Sequence, residues 1–454
     1  MKRVLFVTLL TFVFAFAMVG CGGGNNIGPV QATGTSTTVQ FGDATNDQIV
    51  KFELTVSSIT LTGATGTSNT SNLLSAPVEF EFVQSAGTME PVSLSKVPAG
   101  TYSAATFTVA NPEVVVVNGT TPTKLTNVTL NSTTVNVNFA SNITVGTTPL
   151  FINFDLDLAN SITLTGNPPT SATVNPTFTV STSTVAPNEA GENEDNGEED
   201  DVHGKVTGVT APNFTIQTES GASITFATNS TTKFDDGLTA VTDLKTGDIV
   251  EVDAMTQPDG TNLATKVERE GAETGEEAEG IISNVTGISP ALTITIAHQV
   301  DSTGSATPPT TVDITTDLNT QFIVRGDKLN VSGTCPGATC FDAAHVAKGQ
   351  RVEADADGQA SPITARKLKL REQALVGTIA ATPAPTNSSF TLTVSSTSAF
   401  ASLSGASSVN VTVDSGANLK VPITAGATVR VRGLVFFDGI STYSMTAARV
   451  DDNK

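Results

Sequence analysis

Five landmarks recur in the same order three times after Val202, and this repetition constrains the fold of that half of the chain more than any single motif. Each unit opens on Gly, one residue and a β-branched residue: Gly204-Lys205-Val206, Gly280-Ile281-Ile282 and Gly377-Thr378-Ile379. An alternating strand follows at Phe214-Thr215-Ile216, Leu292-Thr293-Ile294 and Phe390-Thr391-Leu392. Next come an apolar residue, a Gly and a Val at fixed spacing: Leu244, Gly247, Val250; Val346, Gly349, Val352; Ile423, Gly426, Val429. The glycine suits a turn entering a strand. An Asp-Gly pair, the strongest short hairpin signal, stands at Asp259-Gly260, Asp357-Gly358 and Asp438-Gly439. Each unit closes on Ala, any residue, a base and an aliphatic residue, at Ala264–Val267, Ala365–Leu368 and Ala447–Val450. Units of about 70–80 residues holding five or six strands fit a small barrel, which leaves no open sheet edge.

The other half alternates apolar and polar residues in short runs between Gly, Pro and Asn. Val78-Glu79-Phe80-Glu81-Phe82, Val135-Asn136-Val137-Asn138-Phe139 and Ile152-Asn153-Phe154-Asp155-Leu156-Asp157-Leu158 each have one apolar face, which must meet another sheet. Residues 41–185 are therefore expected to form an antiparallel β-sandwich, and the whole chain an all-β fold. Residues 203–270, 280–372 and 375–454 are read as the three barrel units. The acidic stretches 186–202 and 271–279 are read as linkers, because like charges at such density extend a chain.

The N-terminus carries an address. Lys2 and Arg3 precede an apolar run from Val4 to Val19, followed by Gly20 and Cys21. That is a signal-peptide pattern, with a run shorter than the roughly 20 residues a membrane-spanning helix needs. Met18-Val19-Gly20-Cys21 resembles the bacterial lipobox, with Met18 where Leu is usual. The resemblance implies cleavage after residue 20, a diacylated Cys21 and residues 21–40 as a flexible tether. Two or three acyl chains suffice for stable anchoring. Gly22, rather than Asp, after the cysteine resembles the outer-membrane sorting pattern.

Val97-Pro98-Ala99-Gly100-Thr101-Tyr102, leading into Phe107-Thr108-Val109, resembles a turn and strand of transthyretin-like and Ig-like sandwiches. Together with Phe154–Ile162 it resembles the N-terminal domain of bacterial lipoproteins in the domain-of-unknown-function family 4382. The repeats resemble the domain-of-unknown-function family 5666, which implies tandem OB-like barrels. The first unit matches best. The third lacks the strand the others show at Thr232-Lys233-Phe234 and Thr320-Gln321-Phe322. Neither resemblance implies an activity.

Composition then excludes partners. A formal net charge of −21 repels nucleic-acid phosphates, and the absence of Trp, with only Tyr102 and Tyr443, removes most stacking platforms. His203, His298 and His345 fall in different units or at a unit edge, and no nucleophile elbow, phosphate loop or zinc-protease motif occurs. No catalytic residue is assigned and the chain is read as a non-enzyme. Cys335 and Cys340, flanking Pro336-Gly337, are expected to pair in an oxidising compartment, where so short a loop adds about 2 kcal/mol. The sharper alternative is a metal site of Cys335, Cys340 and His345. Asn153, Asp155 and Asp157 share one face of one strand, which makes them a candidate calcium (Ca2+) site beside the plainer reading of a wet strand face. Glu353, Asp355, Asp357 and Gly358 resemble the start of a calcium loop, but Thr364 stands where its closing Glu would be, so a hairpin is preferred.

Together these readings describe a lipid-anchored envelope protein of the bacterial outer membrane, periplasmic or at the cell surface, doing structural or adhesive work. Its partners are the membrane, through the lipid, and an envelope protein or polysaccharide. The competing expectation is a periplasmic or surface ligand-binding protein, for calcium or a glycan, with its site in the sandwich.

Overall fold

The computed structural model describes residues 34–44, 48–83, 90–184, 198–218, 221–257, 259–271, 276–298, 310–324, 329, 340–356 and 363–452. The regular structure of these residues is almost wholly strand, so the all-β expectation holds. Among them no helix is long and apolar enough to cross a membrane.

The N-terminal part runs β1 (Thr35–Ala44), β2 (Ile49–Gly63), β3 (Val78–Glu81), β4 (Glu90–Val97), β5 (Gly100–Asn118), β6 (Thr121–Lys124), β7 (Asn127–Leu130), β8 (Thr134–Val145), β9 (Leu150–Asp157), the short helix α1 (Leu158–Ser161), β10 (Ile162–Gly166), β11 (Pro169–Val174) and β12 (Phe178–Thr184). One sheet has the order β12-β9-β1-β4 and another β3-β2-β5-β6, with β8 also paired to β5. A third, small sheet is β10-β11-β7. Inward phenylalanines join the layers. Phe107 of β5 meets Phe154 of β9 edge-on at 4.8 Å and stacks on Phe178 of β12 at 4.9 Å.

Two details depart from expectation. The sheets are not purely antiparallel, because β1 pairs with β9 in parallel, as β11 does with β7. Alternation of apolar residues is the same for either direction of pairing, so the sequence pattern carried no sign of this. Strand β1 also begins at Thr35, inside the stretch read as tether.

The second half runs β13 (Glu198–Thr210), β14 (Asn213–Thr218), β15 (Ser223–Ala227), β16 (Lys233–Asp235), β17 (Ile249–Thr256), β18 (Asn262–Gly271), β19 (Glu276–Ile288), β20 (Ala291–His298), β21 (Thr311–Thr315), β22 (Gln321–Val324), β23 (Arg351–Ala356) and β24 (Ile363–Leu370). It ends with β25 (Gln373–Ile379), β26 (Ser389–Val394), the helix α2 (Ala399–Ser404), β27 (Ser408–Leu419), β28 (Thr428–Phe437) and β29 (Tyr443–Asp452). Strand orders β15-β14-β13-β17-β18-β16 and β21-β20-β19-β23-β24-β22 are the same path, each with its first and fifth strands also paired. The last five strands close a barrel, β25-β26-β27-β29-β28. Strands β16 and β22 have no counterpart there, where the sequence already lacked the landmark.

The landmark glycines have physical reasons. Gly247, Gly349 and Gly426 have φ of 102°, 89° and 82°, in the turns that enter β17, β23 and β28. Gly204, Gly280 and Gly377 lie where a Cβ would run into the carbonyl oxygen of Gln217, Ala297 or Thr393 on the neighbouring strand. The closing residues Ala264, Ala365 and Ala447 are buried in the three cores.

The two acidic linkers are shorter than expected. Strand β13 starts at Glu198 and β19 at Glu276, pairing with Met255 and Ala356. Alternation explains how acidic segments join a sheet: Ala278 turns into the core while Glu279 pairs with Arg351 outside it. The last two units are joined as well. Leu434 and Phe436 of β28 lie in the core of the β19–β24 unit. Gln350 Nε2 donates to the Val435 carbonyl at 3.1 Å, and Tyr443 Oη to that of Lys348 at 2.8 Å.

Candidate functional site

The densest chemistry lies where the β13–β18 and β19–β24 units meet. Val250, Val252 and Ala254 of β17 face their own core, so Glu251 faces outward. Glu251 is nevertheless 1% exposed, because the neighbouring unit covers it. Its counterpart Glu353 on β23 is 0% exposed between inward Val352 and Ala354.

Cations meet these carboxylates. Lys369 Nζ lies 2.6 Å from Glu353 Oε1 and 3.7 Å from Asp355 Oδ2. Arg371 bridges the units, with Nη1 3.6 Å from Glu251 Oε2 and 3.4 Å from Glu353 Oε2. His203 of β13 stands in register with Glu251, its Nε2 3.5 Å from Oε2. Burial would raise the Glu353 carboxyl, but Lys369, Arg371 and His203 outweigh it and hold its pKa below the usual carboxylate range. Beside this cluster Lys367 Nζ meets Asp236 Oδ2 and sits 3.3 Å from Glu268 Oε1, again joining one unit to the other.

By distance alone His203, Glu251 and Glu353 could hold a metal ion, with ligand atoms within 4.8 Å of one another. The donor set argues otherwise. Lys369 and Arg371 already neutralise both carboxylates, and a divalent cation would be pressed against them. The arrangement suits a buried ion-pair seam between two β units. Sequence reading missed it, although charged residues two apart on strands with an apolar opposite face, Glu251 and Asp253, Glu353 and Asp355, Lys367 and Lys369, were its signal. Glu353 and Asp355 are thus strand residues within this seam, while Asp357 and Gly358 lie outside the described residues.

The expected site residues lie elsewhere. Asn153, Asp155 and Asp157 do share a strand face, but each is engaged differently. Asp157 caps α1, accepting from the Asn160 amide at 3.0 Å and its side-chain Nδ2 at 2.6 Å. Burial pushes Asp155 up to about 6, against the pull of Arg430 and Arg449, so cations already face it. Asn153 is buried beside Gln40 of β1. His345 Nδ1 pairs with Asp342 Oδ1 at 2.8 Å. Cys21 and Cys335 lie outside the described residues, and Cys340 directly precedes Phe341, a core residue of the β19–β24 unit. The His298 side chain is likewise outside them.

No curated protein matches this chain. The model of a domain of unknown function, DUF5666, matches residues 203–268, which span the β13–β18 unit and contain His203, Glu251 and Glu268.

Proposed function

We propose that this is a lipid-anchored protein of the bacterial cell envelope whose work is structural or adhesive rather than enzymatic. In this reading β13–β18, β19–β24 and β25–β29 are three copies of one OB-like module, and the N-terminal sandwich is related to family 4382. Cys21 carries the lipid and Cys335 is bonded to Cys340. The observation that carries the reading is the seam. A buried run of ion pairs joins two modules and a shared apolar core joins the second to the third, so the chain presents coupled modules that can engage a partner at several points.

The test is digestion of intact cells with a protease beside a periplasmic control. Cleavage after Val202 with the control spared supports an adhesive, surface-exposed role. Protection points instead to scaffold work in the periplasm. Incorporation of labelled palmitate into the native chain but not into Cys21→Ser tests the anchor, and loss of that difference overturns it.

A further inference from the structure

We propose that Lys367 and Asp236 form a covalent amide cross-link between the first and second barrel units, with Glu268 carrying the proton. The proposal goes beyond the envelope reading and does not depend on it.

Three placements support it. Asp236 follows β16, and the parallel pairing of β16 with β18 sets the adjacent Asp235 in register with Glu268. The backbone of Asp236 is left-handed, φ 53°, one of two such non-glycine residues among those described. Lys367 comes from β24 of the other unit, 3% exposed, and its Nζ touches Asp236 Oδ2 with Glu268 Oε1 3.3 Å away. Nucleophile, electrophile and base are therefore within reach of one another, with Lys367 buried and Asp236 at the solvent edge. Burial and the neighbouring Lys369 draw Lys367 down to about 8, so its neutral amine is accessible near physiological pH.

The step balances without any outside reactant. Glu268 takes a proton from the Lys367 ammonium, and the freed amine attacks Asp236 Cγ. The C–N bond forms, a Cγ–O bond breaks, and that oxygen leaves as water carrying the proton Glu268 returns and a second from the amine. A neutral amide replaces the buried ammonium of Lys367, which removes its desolvation cost. Effective molarities on the order of 10⁵ M or more for well-placed groups offset the penalty of condensation in water.

Peptide mapping of the full-length protein by trypsin and mass spectrometry tests this. Cleavage at Lys233, Lys245, Arg366 and Lys369 should release Phe234–Lys245 joined to Lys367–Lys369, with no cut after Lys367 and a mass one water below the sum. Fragmentation should place the branch on Asp236. Recovery of the two segments unlinked, with cleavage after Lys367, overturns the proposal. In Glu268→Gln the joined peptide should disappear; its persistence at the native level removes Glu268 from the chemistry. The native chain alone decides the existence of the bond, so the test does not rest on a variant that folds.

Discussion

Lys369 Nζ lies 2.6 Å from Glu353 Oε1 across the β23–β24 pair, with the two side chains 1% and 0% exposed. Charges so fully buried are held by each other. Removing one leaves the other in a medium that cannot solvate it.

Lys369→Met should therefore destabilise by about 3–5 kcal/mol, and Glu353→Leu similarly, whereas the double variant should recover most of the loss. Urea denaturation of the three variants checks this. Additive losses would mean that Arg371 and Asp355, not the pair, carry the balance.

Gly426 and Gly377 should fail as alanine for different reasons. At Gly426, φ is 82° and a Cβ has open space, so Gly426→Ala should cost about 1–2 kcal/mol of backbone conformation without disturbing its neighbours. At Gly377 the Cβ would strike the Thr393 carbonyl, and hydrogen exchange should rise across the β25–β26 pair. Exchange maps of the two variants separate the mechanisms.

Tyr102 is the residue that closes the Pro-Ala-Gly-Thr-Tyr turn. Its Oη donates to the Pro98 carbonyl at 2.9 Å while its ring lies in the sandwich core. Tyr102→Phe should cost about 1 kcal/mol, the worth of one hydrogen bond, and Tyr102→Ala about 3–5 kcal/mol for the lost ring. Thermal denaturation of both variants reads the difference.

Stability of the sandwich should fall with rising pH as its raised carboxyls, Glu53 and Asp155, ionise, and Glu53 can be tested by itself. Burial, with a hydrogen bond that the protonated carboxyl donates to Glu79, raises Glu53 from 4.5 to about 7 against the pull of Lys51. The folded state then holds a proton that the unfolded state has released. The contribution is complete below 4.5 and is lost as pH climbs through 7. Glu53→Gln should lessen the change in melting temperature between pH 5 and pH 8, leaving the part that Asp155 carries, and an unchanged slope would assign all of it to other groups.

Strand positions and inward faces were legible residue by residue. Phe107, Phe154 and the landmark Ala264, Ala365 and Ala447 all turn inward as their alternation indicates. Asp438 shows the same for turns, its Oδ1 accepting from the amides of Ile440, Ser441 and Thr442 at the Asp-Gly corner. Glu251 and Glu353 were not legible as a site, because on an isolated strand they read as a wet face. Asp155 and Asp157 had an oxygen-rich pattern that cation binding and capping produce alike.

Local chemistry in the chain therefore settled where strands run, which face of each is apolar, and where glycine must stand, since period-two alternation and φ preference act over a few residues. Tertiary structure alone decided that β1 pairs in parallel with β9 and that the outer faces of β17 and β23 lose water to one another. Pairing direction and desolvation depend on what arrives from distant parts of the chain, and no local pattern encodes the partner that covers a face.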